Sequence, residues 1–182
     1  MKYAYFCGLT VWLFCAFVPM AKRKLVADKA LSTITYAAKH PLHNWEGVSH
    51  DVNCAVIYND ETKQPETVAV SLKVASFDSQ NNNRDSHAME VLDGLKYPNV
   101  TFTSSDLKTG EDGTLTARGN LTFHGVAKPA TLVATRKEAG GKLTIKGEFP
   151  VNLSDHTIER PSLMGMKTED QLMLKFNVVF SL

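Results

Sequence analysis

Between residues 115 and 123, Leu115, Ala117, Gly119, Leu121 and Phe123 alternate without a break with Thr116, Arg118, Asn120 and Thr122. Only an extended strand puts residues two apart on one side and their neighbours on the other. The pattern therefore predicts a strand with one face buried and one face wet. The same alternation recurs along the chain. Ile34, Tyr36 and Ala38 mark a first strand, and Val52, Cys54, Val56 and Tyr58 a second. A long third runs over residues 68–77, with Val68, Val70, Leu72 and Val74 on one face and Ala75 and Phe77 at its tail. Residues 101–107, 115–123, 130–135, 143–153 and 172–180 supply five more. Between them lie turn signals at residues 59–65, at Gly110 to Gly113, and at the Gly140-Gly141 pair, which reads as a hairpin. Helical spacing occurs once, in residues 84–95, where Ala88, Met89, Val91, Leu92 and Leu95 follow a cap supplied by the asparagines at 81–83. Eight strands with one helical crossover predict a closed antiparallel barrel, because closure removes the edges that an open sheet leaves unpaired. A two-sheet sandwich is the rival. Gly119 and Gly147, inside strands, favour the barrel because small barrels need sharply coiled strands.

A chain of 182 residues suffices for one domain with a real core. Its 20 lysines and arginines against 19 aspartates and glutamates leave no charge excess to draw it to a nucleic acid. The apolar run from Tyr3 to Val18, after Lys2 and before Pro19, Met20 and Ala21, reads as a secretory leader cut after Ala21. Residues 1–21 are then the leader, residues 22–182 the barrel domain, and the location periplasmic or secreted. Lys22, Arg23 and Lys24 put more positive charge behind the run than in front of it, so a retained membrane anchor is the alternative. Cys7 and Cys15 fall within the leader. Cys54, alone in the processed chain, reads as a small buried hydrophobe.

Several local sequences point further. Residues 32–36 (Ser32, Thr33, Ile34, Thr35, Tyr36) are followed by Lys39-His40 and then by Trp45-Glu46-Gly47. Later come Asn83-Arg84-Asp85-Ser86-His87, the stretch from Lys96 through Tyr97 and Pro98 to Phe102, and the stretch from Leu121 through His124 and Gly125 to Pro129. In this order and over this span, the chain resembles the YceI-like polyisoprenoid-binding proteins. The resemblance implies an eight-stranded antiparallel lipocalin-like β-barrel with one short helix in a crossover loop. It also implies an elongated hydrophobic cavity for a polyisoprenoid or another long amphiphile, and export in bacteria. Two regions depart from the family pattern: the stretch from Arg84 to Tyr97 is shorter and carries Val91-Leu92 where paired phenylalanines are expected, and the polar turn over residues 155–164 replaces a glycine-containing tail.

An eight-stranded barrel has room for one elongated ligand if its inward side chains leave space. Each buried methylene would contribute ~0.8 kcal/mol, so no charged anchor is required. The candidate lining is Ile34, Tyr36, Val56, Val70, Leu72, Phe102, Leu121, Phe123, Phe149, Val151, Leu174 and Phe176. Arg84 and His87, at the start of the helix, are candidate headgroup contacts, Arg84 through its planar fork. The expected ligand is an isoprenoid lipid, a quinone or a similar long-chain amphiphile, while association with the envelope membrane and a homodimeric state stay open. No cofactor, no metal and no catalysis are expected: no H-E-x-x-H, paired-cysteine, nucleophile-elbow or glycine-rich phosphate motif is present. Two other readings compete. One is a metal-dependent enzyme assembled from His40, His43, His87 and His124, and the other a barrel scaffold that binds proteins through the helix or residues 155–164.

Overall fold

A computed structural model describes residues 21–182. Its strands are β1 (Lys22–Val26), β2 (Thr33–His40), β3 (His43–Ser49), β4 (Asn53–Asn59), β5 (Gln64–Lys73), β6 (Asn99–Thr109), β7 (Thr114–Phe123), β8 (Val126–Ala139), β9 (Lys142–Asn152), β10 (Ser162–Leu163), β11 (Met166–Lys167) and β12 (Gln171–Ser181), with helix α1 (Asn82–Val91) between β5 and β6. Ten strands make one antiparallel sheet in the order β1-β4-β5-β6-β7-β8-β9-β12-β2-β3, and β10 with β11 forms a separate small hairpin. The sheet curls until its ends meet. Ala27 N–H donates to Cys54 O and Asp28 N–H to Val179 O, both at 2.8 Å, which stitches β4 to β12. At the other edge, Val48 of β3 exchanges backbone hydrogen bonds of 2.9 Å with Asp78, just beyond β5.

The eight strands expected from alternation are β2, β4 to β9 and β12. The main sheet has ten rather than eight because β1 and β3 join it. β1 is hidden in the basic run, its Lys22 and Lys24 pointing out while Leu25 is buried. β3 carries no apolar stripe because its fully buried inward positions are Gly47 and Ser49, and only half-buried Trp45 supplies a large apolar group on that face. A Cβ on Gly47 would lie 2.4 Å from Tyr36 Cε1, so the tyrosine ring fills the inward space that a β3 side chain would otherwise take. The third strand also ends earlier than expected, at Lys73. Residues Val74–Ser76 turn in a 3-10 helix, and Ser76 Oγ donates back to Lys73 O at 2.6 Å. The helix is capped as expected, with Asn81 Oδ1 accepting from Arg84 N–H at 3.1 Å, but it stops at Val91 rather than Leu95.

Because every pairing is antiparallel, connections fall alternately at the two ends of the barrel. The β4–β5, β6–β7 and β8–β9 turns gather at one, the closed end. The β2–β3 turn, the helical crossover from β5 to β6, the β7–β8 turn and the long crossover from β9 to β12 gather at the other, the crossover end. Two apolar clusters fill the interior. One includes Val52, Tyr58, Leu143 and Phe180, and the other Phe102, Leu121, Phe123, Val151, Leu153 and Ile158, against which Val91 and Leu92 at the end of α1 pack.

Candidate ligand cavity

Alternation aims every second residue of the sheet at the barrel axis, and between the two clusters these side chains leave a cavity of about 110 Å³. Of the candidate lining, Ile34, Val56, Val70, Leu72, Phe102, Leu121, Phe149, Leu174 and Phe176 stand in its wall. Tyr36, Phe123 and Val151 do not. Phe123 and Val151 are buried in the cluster at the crossover end, and Tyr36 meets Phe77 edge-on at 5.4 Å between ring centres. The wall also takes in Cys54, Val68, Val100, Leu107, Leu132 and Ile145, among others. All but Leu107 lie on the same face by the same alternation, so the pattern that located their neighbours could have located them too, whereas Leu107 comes into phase only through the bulge between Thr103 and Asp106.

The wall holds no charged residue, and Thr101 carries its only hydroxyl. Burial pushes the Cys54 thiol up to about 12, which keeps it a neutral, unreactive part of the wall. Nothing in such a cavity can pair with a carboxylate or phosphate, and burying either without a partner is costly. The arrangement therefore suits hydrocarbon, and a polar headgroup would have to stay at an end. Pockets for drug-sized ligands run to ~300–1,000 Å³, so a long chain would fit only if wall side chains move. Phe149, Leu132 and Leu174 are half-buried and adjoin the looser cluster, where that movement costs least.

Around the crossover end, polar residues tie the connections to one another. Arg84 Nε donates to Ser79 Oγ at 2.9 Å and Arg84 Nη2 to Ser79 O at 3.1 Å, while its guanidinium stands 5.7 Å from the centre of the Trp45 ring. Asp85 accepts from Ser79 N–H. Tyr36 adjoins this group, and burial is the main cause that raises its phenol above the ordinary value, with Trp45 beside it acting in the opposite direction. Arg84 is thus largely occupied in bracing α1. His87 stands exposed with its Nδ1 3.4 Å from Glu90 Oε2.

The remaining histidines are spread over different contacts. Leu42 N–H donates to His40 Nδ1 at 3.2 Å, so the ring proton sits on Nε2, which donates to Met166 O at 3.0 Å. His43 stacks against His40 and Trp45. His124 has its Nδ1 3.1 Å from His156 O and its Nε2 3.3 Å from Asp93 Oδ2. Among the described residues no group of three or more His, Cys, Asp or Glu is placed to hold a metal ion.

The model of the YceI-like domain matches residues 25–180. The chain belongs to the YceI-like family. It is 30% identical over 145 residues to a UPF0312 protein of Pseudomonas fluorescens, a match covering 74% of this chain and 71% of that one. It is likewise 30% identical over 117 residues to Protein YceI of Salmonella newport, covering 63% of this chain and 61% of the relative. Among solved structures, BcnA of Burkholderia cenocepacia superposes with a TM-score of 0.75 at 23% identity, over 84% of this chain and 98% of that one. A polyisoprenoid-binding domain from Saccharophagus degradans, implicated in plant cell wall breakdown, gives a TM-score of 0.67 at 11% identity, over 88% and 98%. At those identities the two structures establish the fold, a YceI-like barrel. In this family member the residues that carry the resemblance are largely those that hold the crossover end together. Gly125, for example, leaves space for the Tyr97 ring, whose nearest atom would lie 2.6 Å from an added Cβ. The leader expected over residues 1–21 falls outside the described residues except for Ala21.

Proposed function

We propose that this chain is an exported carrier of a polyisoprenoid, a quinone or a similar long-chain neutral amphiphile. The observation that carries the reading is the cavity wall, continuous from β2 around to β12 and apolar apart from Thr101. Family membership supports it, as does the barrel shared with a domain described as polyisoprenoid-binding. A ligand of repeating methyl-branched units matches a wall of valine, leucine and phenylalanine. At ~0.8 kcal/mol for each buried methylene, a few such units give useful affinity. Binding enlarges the cavity by turning Phe149, Leu132 and Leu174 aside and leaves any polar head at the crossover end. The protein acts by holding its cargo, not by transforming it, and does so in the periplasm or outside the cell.

Organic extraction of protein purified from its native envelope, followed by mass spectrometry, tests this directly. An apolar chain molecule recovered in near-stoichiometric amount is the expected result. If extracts are empty and fluorescent isoprenoid probes fail to bind, the carrier reading is wrong. Intact-mass measurement of the exported protein is expected to place the amino terminus at Lys22, and a mass that includes residues 1–21 would replace the leader with an anchor.

A further inference from the structure

Four large apolar side chains stand in solvent at the crossover end: Leu95 (96% exposed), Met164 (82%), Leu42 (52%) and Leu163 (50%). They come from three separate connections. Leu95 follows α1, Leu163 and Met164 lie at the tip of the β10–β11 hairpin, and Leu42 lies in the β2–β3 turn. These connections are held in place. The two hairpins are joined by the bond from His40 to Met166 O, and Glu169 N–H donates to Lys39 O at 2.8 Å. The loop carrying Leu95 is fixed to the β7–β8 turn through Asp93 and Tyr97, which meet His124.

Met164 is the most informative of the four. With Gly165 it forms a two-residue turn whose φ angles are 53° and 78°, a conformation that favours asparagine followed by glycine. Methionine there adopts a left-handed backbone that its side chain disfavours, and it gains no burial in return. The residue serves neither the turn nor the core. A conformational outlier that contributes nothing to folding points to a contact made outside the molecule.

The pattern indicates which contact. Centres of protein interfaces are contiguous and rich in aromatic anchors, whereas these are single aliphatic side chains on separate tips. Each tip is flanked by a long cation: Lys96 follows Leu95, Arg160 and Lys167 bracket Leu163 and Met164, and Lys39 precedes Leu42. Lys39 and Lys167 lie 3.9 Å from Glu169 and Glu159, whereas Lys96, whose Nζ stands 4.9 Å from the centre of the Tyr97 ring, and Arg160, whose charge acts on Asp170, form no ion pair among the described residues. Apolar tips with cations on long stems complement an acyl boundary below a layer of phosphates. We propose that the crossover end docks on a lipid bilayer, with Leu95, Met164 and Leu42 entering the boundary beneath the headgroups and Lys96 and Arg160 on the phosphates. The cavity then exchanges its cargo with the bilayer without passage through water. This role for the rim rests on the carrier reading, but the docking itself is tested apart from it.

The test uses the full chain with vesicles of phosphatidylcholine and phosphatidylglycerol in equal parts. Tryptophan is placed at the rim by Leu95→Trp and Met164→Trp, and on the outer wall of β8 by Val133→Trp. The spectrum of the unsubstituted chain is subtracted. The rim reporters are expected to shift to the blue on adding vesicles and to be quenched by brominated lipid, while the Val133 reporter is not. Rim reporters that keep their aqueous emission, or a wall reporter quenched as strongly, overturn the proposal. Because the reporters sense local insertion, attachment through the apolar run at residues 3–18 does not by itself produce the expected pattern. A second measurement follows a dansyl-farnesyl probe into the double variant Leu95→Asp, Met164→Asp. Uptake from vesicles should slow about tenfold while uptake from ethanol is unchanged, and equal rates from vesicles would overturn the docking. Rim insertion in a chain that takes no probe from ethanol removes the carrier reading and leaves docking standing. Probe binding with the rim still in water does the reverse.

Discussion

The two ends of the barrel are built from the same alternating strands, yet they are packed to different standards. At the closed end Leu143 and Phe180 are wholly inaccessible and Tyr58 nearly so, its hydroxyl donating to Glu138 Oε1 at 2.7 Å. In the cluster at the crossover end no residue is wholly inaccessible, and the cluster is completed by half-buried groups such as Val91, Leu92, Phe149 and Leu174. A side chain enclosed on all sides contributes its full transfer energy and tolerates no change of shape, whereas a half-enclosed one contributes less and can move. The difference separates stability from binding. Phe180→Ala is expected to cost ~3–5 kcal/mol in chemical denaturation, and Phe149→Ala about half as much. Equal losses at the two positions would erase the distinction between the ends.

The next effect is on binding. Leu132 is half-buried in the cavity wall, so Leu132→Trp fills the space and presses on Phe149 and Leu174 without disturbing the closed end. Affinity for an isoprenoid probe should fall by about tenfold or more, with the melting temperature within ~3 °C of the parent. If the probe binds unchanged, the cargo lies elsewhere than in this cavity.

How much of this could be read in advance follows the same division. Strand after strand was legible because inward positions are apolar and outward ones are not, and β3 escaped because its fully buried inward positions are Gly47 and Ser49. β1 escaped for a related reason: three of its five residues are basic, and only Leu25 among them is buried. Alternation reports which face a residue takes and not its height along the barrel. Phe123 and Phe102 are therefore equivalent in the sequence, although both belong to the cluster at the crossover end and only Phe102 reaches the cavity wall. The contacts around Arg84 have no periodic signature at all. Ser79, Trp45 and Asp85 come together only because the sheet closes, so the bracing of the helix by this cluster could not be read from the sequence.

That bracing gives a smaller effect. Arg84→Ala removes two hydrogen bonds and the contact with Trp45, all near the surface, so the global cost should be about 1 kcal/mol. The local consequence is larger than the global one. Hydrogen exchange of the α1 amides should quicken while that of β9 and β12 near Leu143 and Phe180 stays as it was. Uniform quickening would mean that the helix belongs to the same cooperative unit as the closed end.

The smallest effect depends on pH. At the crossover end Asp170 accepts from the Ser154 hydroxyl and, at 3.0 Å, from Ser154 N–H, fixing the start of the turn that follows β9. The Ser154 hydroxyl is the main cause holding its carboxyl below the ordinary value, helped by that backbone N–H and by the charge of Arg160. A carboxylate whose folded-state value is depressed stabilises the fold above its unfolded value of ~3.9 and loses that contribution as pH falls through the folded value. The group is near the surface, so its contribution is screened and amounts to roughly 1–2 °C of melting temperature. Asp170→Asn should therefore melt slightly below the parent at neutral pH, and the gap should close as pH falls below ~3.9 and through the folded value. The deficit of Phe180→Ala, which rests on apolar burial alone, should hardly change over the same range. A gap between Asp170→Asn and the parent that persists at low pH would show that Asp170 acts through its shape rather than its charge.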